Sequence, residues 1–132
     1  MRDKFDHARG WFRKGDSDLI TVRKMLAGEG PYDTACFHAQ QAIEKYLKGV
    51  LAFAEQPIPR THNLEELAQL CSGAFPGCVP VDVDLAEITP FAVDLRYDFE
   101  FWPDRGSAEQ ALRVAERMRQ CVLDHMPPEA RP

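Results

Sequence analysis

A helical stretch in the first half of the chain holds the side chains best suited to chemistry. On an ideal helix its polar members fall within about 80° of arc: His38, Gln41, Lys45 and Lys48. The two ammonium groups could hold phosphate oxygens, and the amide could hydrogen-bond a base or a sugar. The alternative is an ordinary solvated face, in which Glu44 pairs with Lys48 one turn further along the helix. The spacing alone is compatible with both interpretations.

Two further clusters offer polar chemistry. His62 immediately precedes a predicted helix, where it could act as a general base or anchor a loop by a hydrogen bond. Arg96 is flanked by two aspartates and followed by Tyr97, so it could clamp a phosphate beside a stacking ring. It could equally form a partly buried ion pair. The candidate contacts for a ligand or partner are Gln41, Lys45, Lys48, His62, Arg96 and Tyr97.

The remaining acidic and thiol side chains give no metal site. Asp82 and Asp84 have the D-x-D form used in Mg²⁺-dependent nucleotidyl transfer, but no phosphate-binding turn on a strand–helix unit precedes them. The four cysteines are widely spaced and form no C-x-x-C pair, so we expect reduced thiols rather than a zinc site. We therefore expect neither a metal nor a cofactor.

Composition and charge limit the class of protein. A chain of 132 residues that is 45% apolar and 28% charged is typical of a globular protein, and we expect one domain over residues 1–132. With a net charge of −5, any contact with nucleic acid must come from a local patch or a dimer. The charged N-terminus has no apolar signal region, and the apolar runs are too short to cross a bilayer. We expect a cytoplasmic protein without a membrane partner.

Helical periodicity predicts the elements that must position these groups. The first helix is expected over residues 5–26, before a Gly- and Pro-rich turn. The second should be capped by Asp33 or Thr34 and reach about residue 55, where prolines forbid continuation. Asn63 is the predicted N-cap of a short third helix.

The second half of the chain is less regular. A fourth helix is expected from residues 82–84, with Pro90 causing a kink or a restart in which Thr89 is the cap. Residues 99–103 alternate like an extended segment that lays its rings on the bundle. The last helix should start after Ser107 and end before two prolines. The fold class is therefore all-α, an antiparallel up-and-down bundle of four to five helices. Its wide apolar faces favour a partner, most simply a second copy.

Three segments, in this order and spacing, resemble the HEPN domain (higher eukaryotes and prokaryotes nucleotide-binding). They are FHAQQAIEKYLK at residues 37–48, THNLEEL at residues 61–67 and LRYD at residues 95–98. The DSDL run at residues 16–19 fits the first helix of the family. The similarity extends from about residue 11 to about residue 126, and the QQAxEKxLK run is its most specific part.

The resemblance implies an antiparallel four- or five-helix bundle, typically a homodimer. Such domains are commonly encoded beside, or fused to, a minimal nucleotidyltransferase. Many are toxins of toxin–antitoxin pairs that cut RNA without a metal, and others bind nucleotides or serve as scaffolds. The ribonuclease branch uses an arginine followed, after four to six residues, by a histidine. Arg96 matches the arginine, but Phe101, Trp102 and Pro103 stand where the histidine would be, and these side chains cannot shuttle protons.

The residues and the resemblance together support three hypotheses. The first is a HEPN-like module that dimerises and binds a nucleotide or a nucleotidyltransferase partner through the six candidate contacts. The second is a ribonuclease toxin that cuts RNA with a relocated histidine: His38, His62 or His125. The third is a structural dimer whose polar face binds only another protein. Because the expected histidine is missing, the sequence favours a protein that is not an enzyme.

Overall fold

The chain folds into five α-helices and three short 3-10 helices, with no strand in the part that the structure describes. The computed structural model describes residues 3–132, apart from the side chains of Leu95 and Arg96. The predicted all-α class is therefore confirmed. The α-helices are α1 (Lys4–Ala27), α2 (Tyr32–Phe53), α3 (Leu64–Ala74), α4 (Asp94–Tyr97) and α5 (Arg105–Asp124), and the 3-10 helices span Leu85–Glu87, Thr89–Ala92 and Pro128–Ala130.

The second helix is the centre of the bundle, and α1, α3 and α5 all pack against it. The start of α1 lies beside the end of α2, because the rings of Phe5 and Phe53 are 5.5 Å apart. These two helices are therefore antiparallel. Arg105, at the start of α5, donates to the carbonyl of Leu26 near the end of α1, so α5 is antiparallel to α1 as well. The core face of α2 is fully buried: Ala39, Ala42, Ile43, Tyr46, Leu47 and Val50.

Two glycines bring α1 and α2 unusually close together. A Cβ atom on Gly49 would lie 2.3 Å from Cε1 of Phe12, and a Cβ atom on Gly15 would lie 2.9 Å from Cε1 of Tyr46. Each glycine therefore lets a buried ring from the opposite helix lie directly on its backbone. This close approach also brings the polar side chains of α1 within hydrogen-bonding distance of α2.

The capping residues explain where the helices begin. Asn63 caps α3 as predicted, since its side chain accepts a hydrogen bond of 3.0 Å from the Glu66 amide. The predicted caps of α2 were wrong, because the helix already begins at Tyr32, directly after Pro31, and has no side-chain cap. Proline provides the extended ψ angle, 140°, that an N-cap residue needs. Asp33 and Thr34 consequently lie inside the first turn of α2.

The start of the last helix was also predicted too late. Helix α5 begins at Arg105, and its N-cap is Asp104. The carboxylate of Asp104 accepts a hydrogen bond of 2.8 Å from the amide of Ser107. A carboxylate at the N-cap stabilises the helix start, so the helix begins before the serine is reached.

The predicted fourth helix, with a kink or a restart at Pro90, does not form as an α-helix. Two 3-10 helices, Leu85–Glu87 and Thr89–Ala92, and the single α-helical turn of α4 replace it. Pro90 lacks an amide hydrogen and disfavours a helical conformation at the preceding residue, so the helix breaks there. The chain does restart at this point, but the cap position belongs to Ile88 rather than Thr89. The Thr89 hydroxyl instead donates to the Leu85 carbonyl and accepts from the amide of Leu64.

The aromatic segment follows the prediction only in part. Phe101 packs on the core, with its ring 6.0 Å from that of Phe91. Phe99 and Trp102, in contrast, are 85% and 72% exposed, so the expectation that their rings lie on the bundle was wrong. The reason is a tight turn: the side chain of Asp98 accepts from the Glu100 amide, which breaks the alternation of an extended segment.

Candidate functional site

The polar face of α2 is covered by other parts of the chain and is not an ordinary solvated face. Helix α1 supplies Asp18 on one side, and the segment before α3 supplies His62 on the other. Between them, Gln40, Glu44 and Lys48 are buried. We call this arrangement the polar seam; it consists of Asp18, His38, Gln40, Gln41, Glu44, Lys45, Lys48 and His62.

Asp18 holds two of the candidate side chains of α2. One carboxylate oxygen accepts from the ammonium group of Lys45 at 2.6 Å, and the other lies 2.8 Å from Nδ1 of His38. An ionised carboxylate only accepts hydrogen bonds, so Nδ1 of His38 is the donor. The second ring nitrogen, Nε2, is then the one that can accept or release a proton. No described residue hydrogen-bonds to it, and 30% of the His38 side chain is exposed.

Glu44 forms the second carboxylate–histidine pair. The residue is 4% exposed, and one of its oxygens lies 2.7 Å from Nδ1 of His62. Its other oxygen lies 3.6 Å from the ammonium group of Lys48, which is the i,i+4 pair expected from the sequence. The side chain of His62 is 57% exposed, so its Nε2 edge is accessible. The two histidines are therefore held by the same type of contact, at the two edges of the polar face of α2.

A chain of amide hydrogen bonds joins the middle of the seam to its edge. Gln41 donates to the side-chain oxygen of Gln40 at 2.7 Å, and Gln40 donates to the backbone carbonyl of His62 at 3.1 Å. Gln40 is fully buried, yet no described buried side-chain nitrogen or oxygen lacks a partner. His62 is thus anchored through both its backbone and its ring, which agrees with the loop-anchoring alternative considered above.

The charges of the seam are balanced internally. The ammonium groups of Lys45 and Lys48 face the carboxylates of Asp18 and Glu44, so neither lysine is a free cation. A phosphate approaching Lys45 must compete with a carboxylate oxygen at 2.6 Å. Protonation of the histidines, in contrast, adds net positive charge to the seam. Attraction of an anion to this surface must therefore come chiefly from the two imidazoles.

A second polar cluster ties three helices together beside the seam. The guanidinium of Arg119 donates twice to Asp16, at 2.7 and 3.1 Å, and the hydroxyl of Tyr46 donates to the same carboxylate at 2.5 Å. Burial acts to raise the pKa of Asp16, but the hydrogen bonds from Arg119 and Tyr46 outweigh it and the pKa lies below its ordinary value. Burial raises the pKa of the Tyr46 hydroxyl, which stays protonated. The cluster therefore serves as a scaffold.

Sequence reasoning missed the carboxylate of Asp18 and the roles of Asp16 and Arg119. The available signal was the DSDL run of α1, where two aspartates adjoin the buried Leu19. A carboxylate next to a core position on a helix needs a partner from another element. That rule pointed to a polar contact, but it did not identify α2 as the helix that provides it.

Comparisons with known proteins agree with this architecture. The family model described as "HEPN domain" matches residues 8–125. The chain belongs to the HEPN family. A similar solved structure is the crystal structure of TT1696 from Thermus thermophilus, with a TM-score of 0.73 and 25% identity, covering 91% of this chain and 98% of that one. No curated protein matches the sequence.

The remaining candidate contacts of this HEPN domain lie on α4. That helix packs against α2, and the side chain of Tyr97 on it is 74% exposed. The side chain of Arg96, and with it the predicted phosphate clamp or ion pair, lies outside the described residues. The structure thus brings Gln41, Lys45, Lys48 and His62 together in the seam and places Tyr97 on a neighbouring helix.

Two further properties of the HEPN chain concern metals and membranes. Among residues 3–132, no group of three or more His, Cys, Asp or Glu side chains is arranged to hold a metal ion. All four cysteines are free thiols. No described helix has the length and apolar character required to span a bilayer.

Proposed function

We propose that this HEPN protein binds a nucleotide whose phosphate lies against the open edge of the polar seam. One observation carries the proposal: two imidazoles, His38 and His62, are each held through Nδ1 by a carboxylate, at the two edges of the polar face of one helix. Each imidazole then offers Nε2 to a ligand. When protonated, that nitrogen becomes a charged N–H donor for a phosphate oxygen.

Neighbouring groups would complete the site. On an ideal helix Gln41 lies between the directions of His38 and Glu44, so its amide could contact a sugar or base. Lys45 and Lys48 add positive charge, although each is paired with a carboxylate. The packing of α4 against α2 supports Arg96 and Tyr97 as further contacts, Tyr97 through its exposed ring.

The family suggests how such a module would be used. We include in the proposal that residues 1–132 act as one domain, form a homodimer and pair with a minimal nucleotidyltransferase, in a toxin–antitoxin setting in the cytoplasm. Exposed apolar side chains such as Ile20 and Leu70 support an interface, since a second copy would remove them from water. Size-exclusion chromatography with light scattering tests the dimer, and co-purification with a co-expressed neighbouring nucleotidyltransferase tests the pair.

Isothermal titration calorimetry with ATP tests the nucleotide site. We expect the wild-type protein to bind ATP through hydrogen bonds from the two imidazoles to the phosphate. His38→Ala and His62→Ala should each weaken binding at least threefold, and Arg96→Ala tests the contact on α4. His7→Ala, a change at an exposed histidine outside the seam, is the matched control and should have no effect. Absence of heat with the wild-type protein at millimolar ATP would reject nucleotide binding.

The same geometry favours ribonuclease activity as a second candidate function. A histidine whose Nδ1 is held by a carboxylate is a general base with its orienting group, as Asp18 and His38 are arranged. In a metal-free cleavage, Nε2 of His38 would take the proton of a ribose 2′-hydroxyl as its oxygen attacks phosphorus. His62, held by Glu44, would give a proton to the 5′-oxygen as its bond to phosphorus breaks. Inducible expression tests this function. Growth arrest with RNA decay that is lost in His38→Ala would support it, whereas normal growth at high expression would reject it.

A further inference from the structure

A cleft separates the 3-10 helix Thr89–Ala92 and α4 from the start of α5. Its volume is about 850 Å³, and it shares no lining residue with the polar seam. Rings from Phe91, Phe101 and Trp102 form part of its surface. The other notable lining groups are four carboxylates, those of Glu87, Asp94, Glu100 and Asp104.

The described lining of the cleft is acidic. No lysine, arginine or histidine is among the described residues that line it. Hydrogen bonds from Ser107 lower the pKa of Asp104, which keeps this carboxylate ionised. Arg105 follows directly in sequence, but its guanidinium turns away to the Gly28 carbonyl and the Tyr32 hydroxyl. The acidic groups of the cleft are therefore not neutralised by this neighbouring cation.

The aromatic groups at the rim are exposed to an unusual degree. Trp102 is held by a hydrogen bond of 2.9 Å from its indole nitrogen to the Phe99 carbonyl, so its ring is oriented although it is mostly exposed. Phe99 is exposed beside it. Exposed rings, one of them oriented by a hydrogen bond, are typical of a surface that another molecule covers.

The rings and the carboxylates together select one type of side chain. The aliphatic stem of arginine packs on aromatic rings, its guanidinium stacks on their faces, and it pairs with carboxylates in a bidentate manner. A phosphate or nucleic acid would instead meet four like charges. A second copy docked by this same surface is disfavoured as the occupant, because its four carboxylates would face the four of the cleft.

We propose that this cleft docks an arginine-bearing segment of a partner protein. The segment places an arginine between Trp102 and the carboxylates of Glu87 and Glu100, and the exposed ring of Phe99 covers its apolar side. This docking site does not use the polar seam, so a failure to bind nucleotide would not reject the docking proposal.

Fluorescence anisotropy with a labelled hexa-arginine peptide tests the proposal on the full chain. A polycation binds weakly to any acidic protein, so the proposal is tested by the difference in peptide affinity between variants. We expect Glu87→Gln/Glu100→Gln to weaken binding about tenfold and Trp102→Ala about threefold, in line with exposed ion pairs and cation–π contacts. The matched control, Glu29→Gln/Glu129→Gln, removes the same charge from exposed positions elsewhere and should change binding less than twofold.

Each other outcome contradicts the proposal. Equal weakening in the control pair would mean nonspecific attraction, and unchanged binding by Trp102→Ala would remove the ring contact. A wild-type dimer that Trp102→Ala converts to a monomer would mean that a second copy covers this surface. Tighter binding of a single-stranded hexanucleotide than of the peptide, lost in Trp102→Ala, would mean that the ligand is a nucleic acid. Thermal melting checks that the variants are folded, and Glu100→Gln alone serves if the double variant is not.

Discussion

Replacing Gly49 with alanine tests the packing that brings the carboxylates of α1 to α2. The new Cβ atom would lie 2.3, 2.7 and 3.0 Å from three carbons of the Phe12 ring. Carbon atoms pack favourably at about 3.5–4.0 Å, so the ring must move by more than about 1 Å. Phe12 is fully buried, and its ring is stacked at 6.4 Å from that of Tyr46, which leaves it little space. We therefore expect α1 to shift away from α2.

The change in the free energy of unfolding caused by Gly49→Ala follows from two opposing effects. Overpacking a well-packed core costs about 1–3 kcal/mol, and the fully buried ring places Gly49→Ala near the upper end. Alanine in a helix is more favourable than glycine by about 1 kcal/mol, which offsets part of this cost. A net loss of about 2 kcal/mol remains. For a chain of this length it lowers the melting temperature by about 6–10 °C.

Circular dichroism melting at 222 nm measures the effect against a matched control. A Cβ atom on Gly10, which is also helical, would meet no atom within 4 Å, so Gly10→Ala should raise the melting temperature by a few degrees. In Phe12→Leu/Gly49→Ala the smaller side chain relieves the clash, so the double variant should lose less stability than the two single variants combined. If Gly49→Ala melts at or above the wild-type temperature, the close-packing argument is refuted.

Two further predictions concern titratable groups outside the seam. Arg119→Met removes the contact that lowers the pKa of Asp16, so it should destabilise the protein by about 1–2 kcal/mol at pH 7. A lowered pKa of Asp16 stabilises the folded state above about pH 4, and this stabilisation is lost as the pH falls further, so the difference in melting temperature between Arg119→Met and the wild type should shrink at pH 3. The control variant Arg113→Met should have little effect at either pH. A difference that stays constant between pH 7 and pH 3 would contradict this account. Burial raises the pKa of Cys36 to about 12, while Cys121 is only partly buried. Mass spectrometry after brief maleimide labelling at pH 7.5 should therefore find Cys121 modified first and Cys36 unmodified. Early labelling of Cys36 would mean that this part of the core opens readily.

The parts of the fold that could be predicted are those governed by local rules. Helices α1 and α3 follow from apolar periodicity and from caps such as Asn63, both of which act within a few residues. The prediction of a fourth α-helix failed although the apolar residues of this segment have helical spacing. Backbone restrictions around Pro90 and the tertiary hydrogen bond between Thr89 and the Leu64 amide decided the outcome there. The first of these is visible in the sequence, but the second is not.

The candidate lysines show that sequence-based prediction of the site also fails where a contact joins two different helices. Spacing within one helix correctly pairs Lys48 with Glu44, because both are on α2. It could not pair Lys45 with Asp18, which lies 27 residues earlier on α1. That contact depends on the close approach of the two helices, which in turn depends on the glycines. The polar face was therefore identified from the sequence, whereas its burial and internal charge balance were not.

The difference in charge balance allows single substitutions to separate the two proposed sites. In the polar seam the carboxylates already hold the lysines, so an anion depends on His38 and His62 for its contacts. In the cleft the carboxylates of residues such as Glu100 face no described lining cation, so they are open to a cation from a partner. His38→Ala should therefore weaken nucleotide binding while binding of the hexa-arginine peptide stays nearly constant, and Glu87→Gln/Glu100→Gln should have the reverse effect. If either variant weakened the binding of both ligands, they would share a site, and the assignment of an anion to the seam and a cation to the cleft would be wrong.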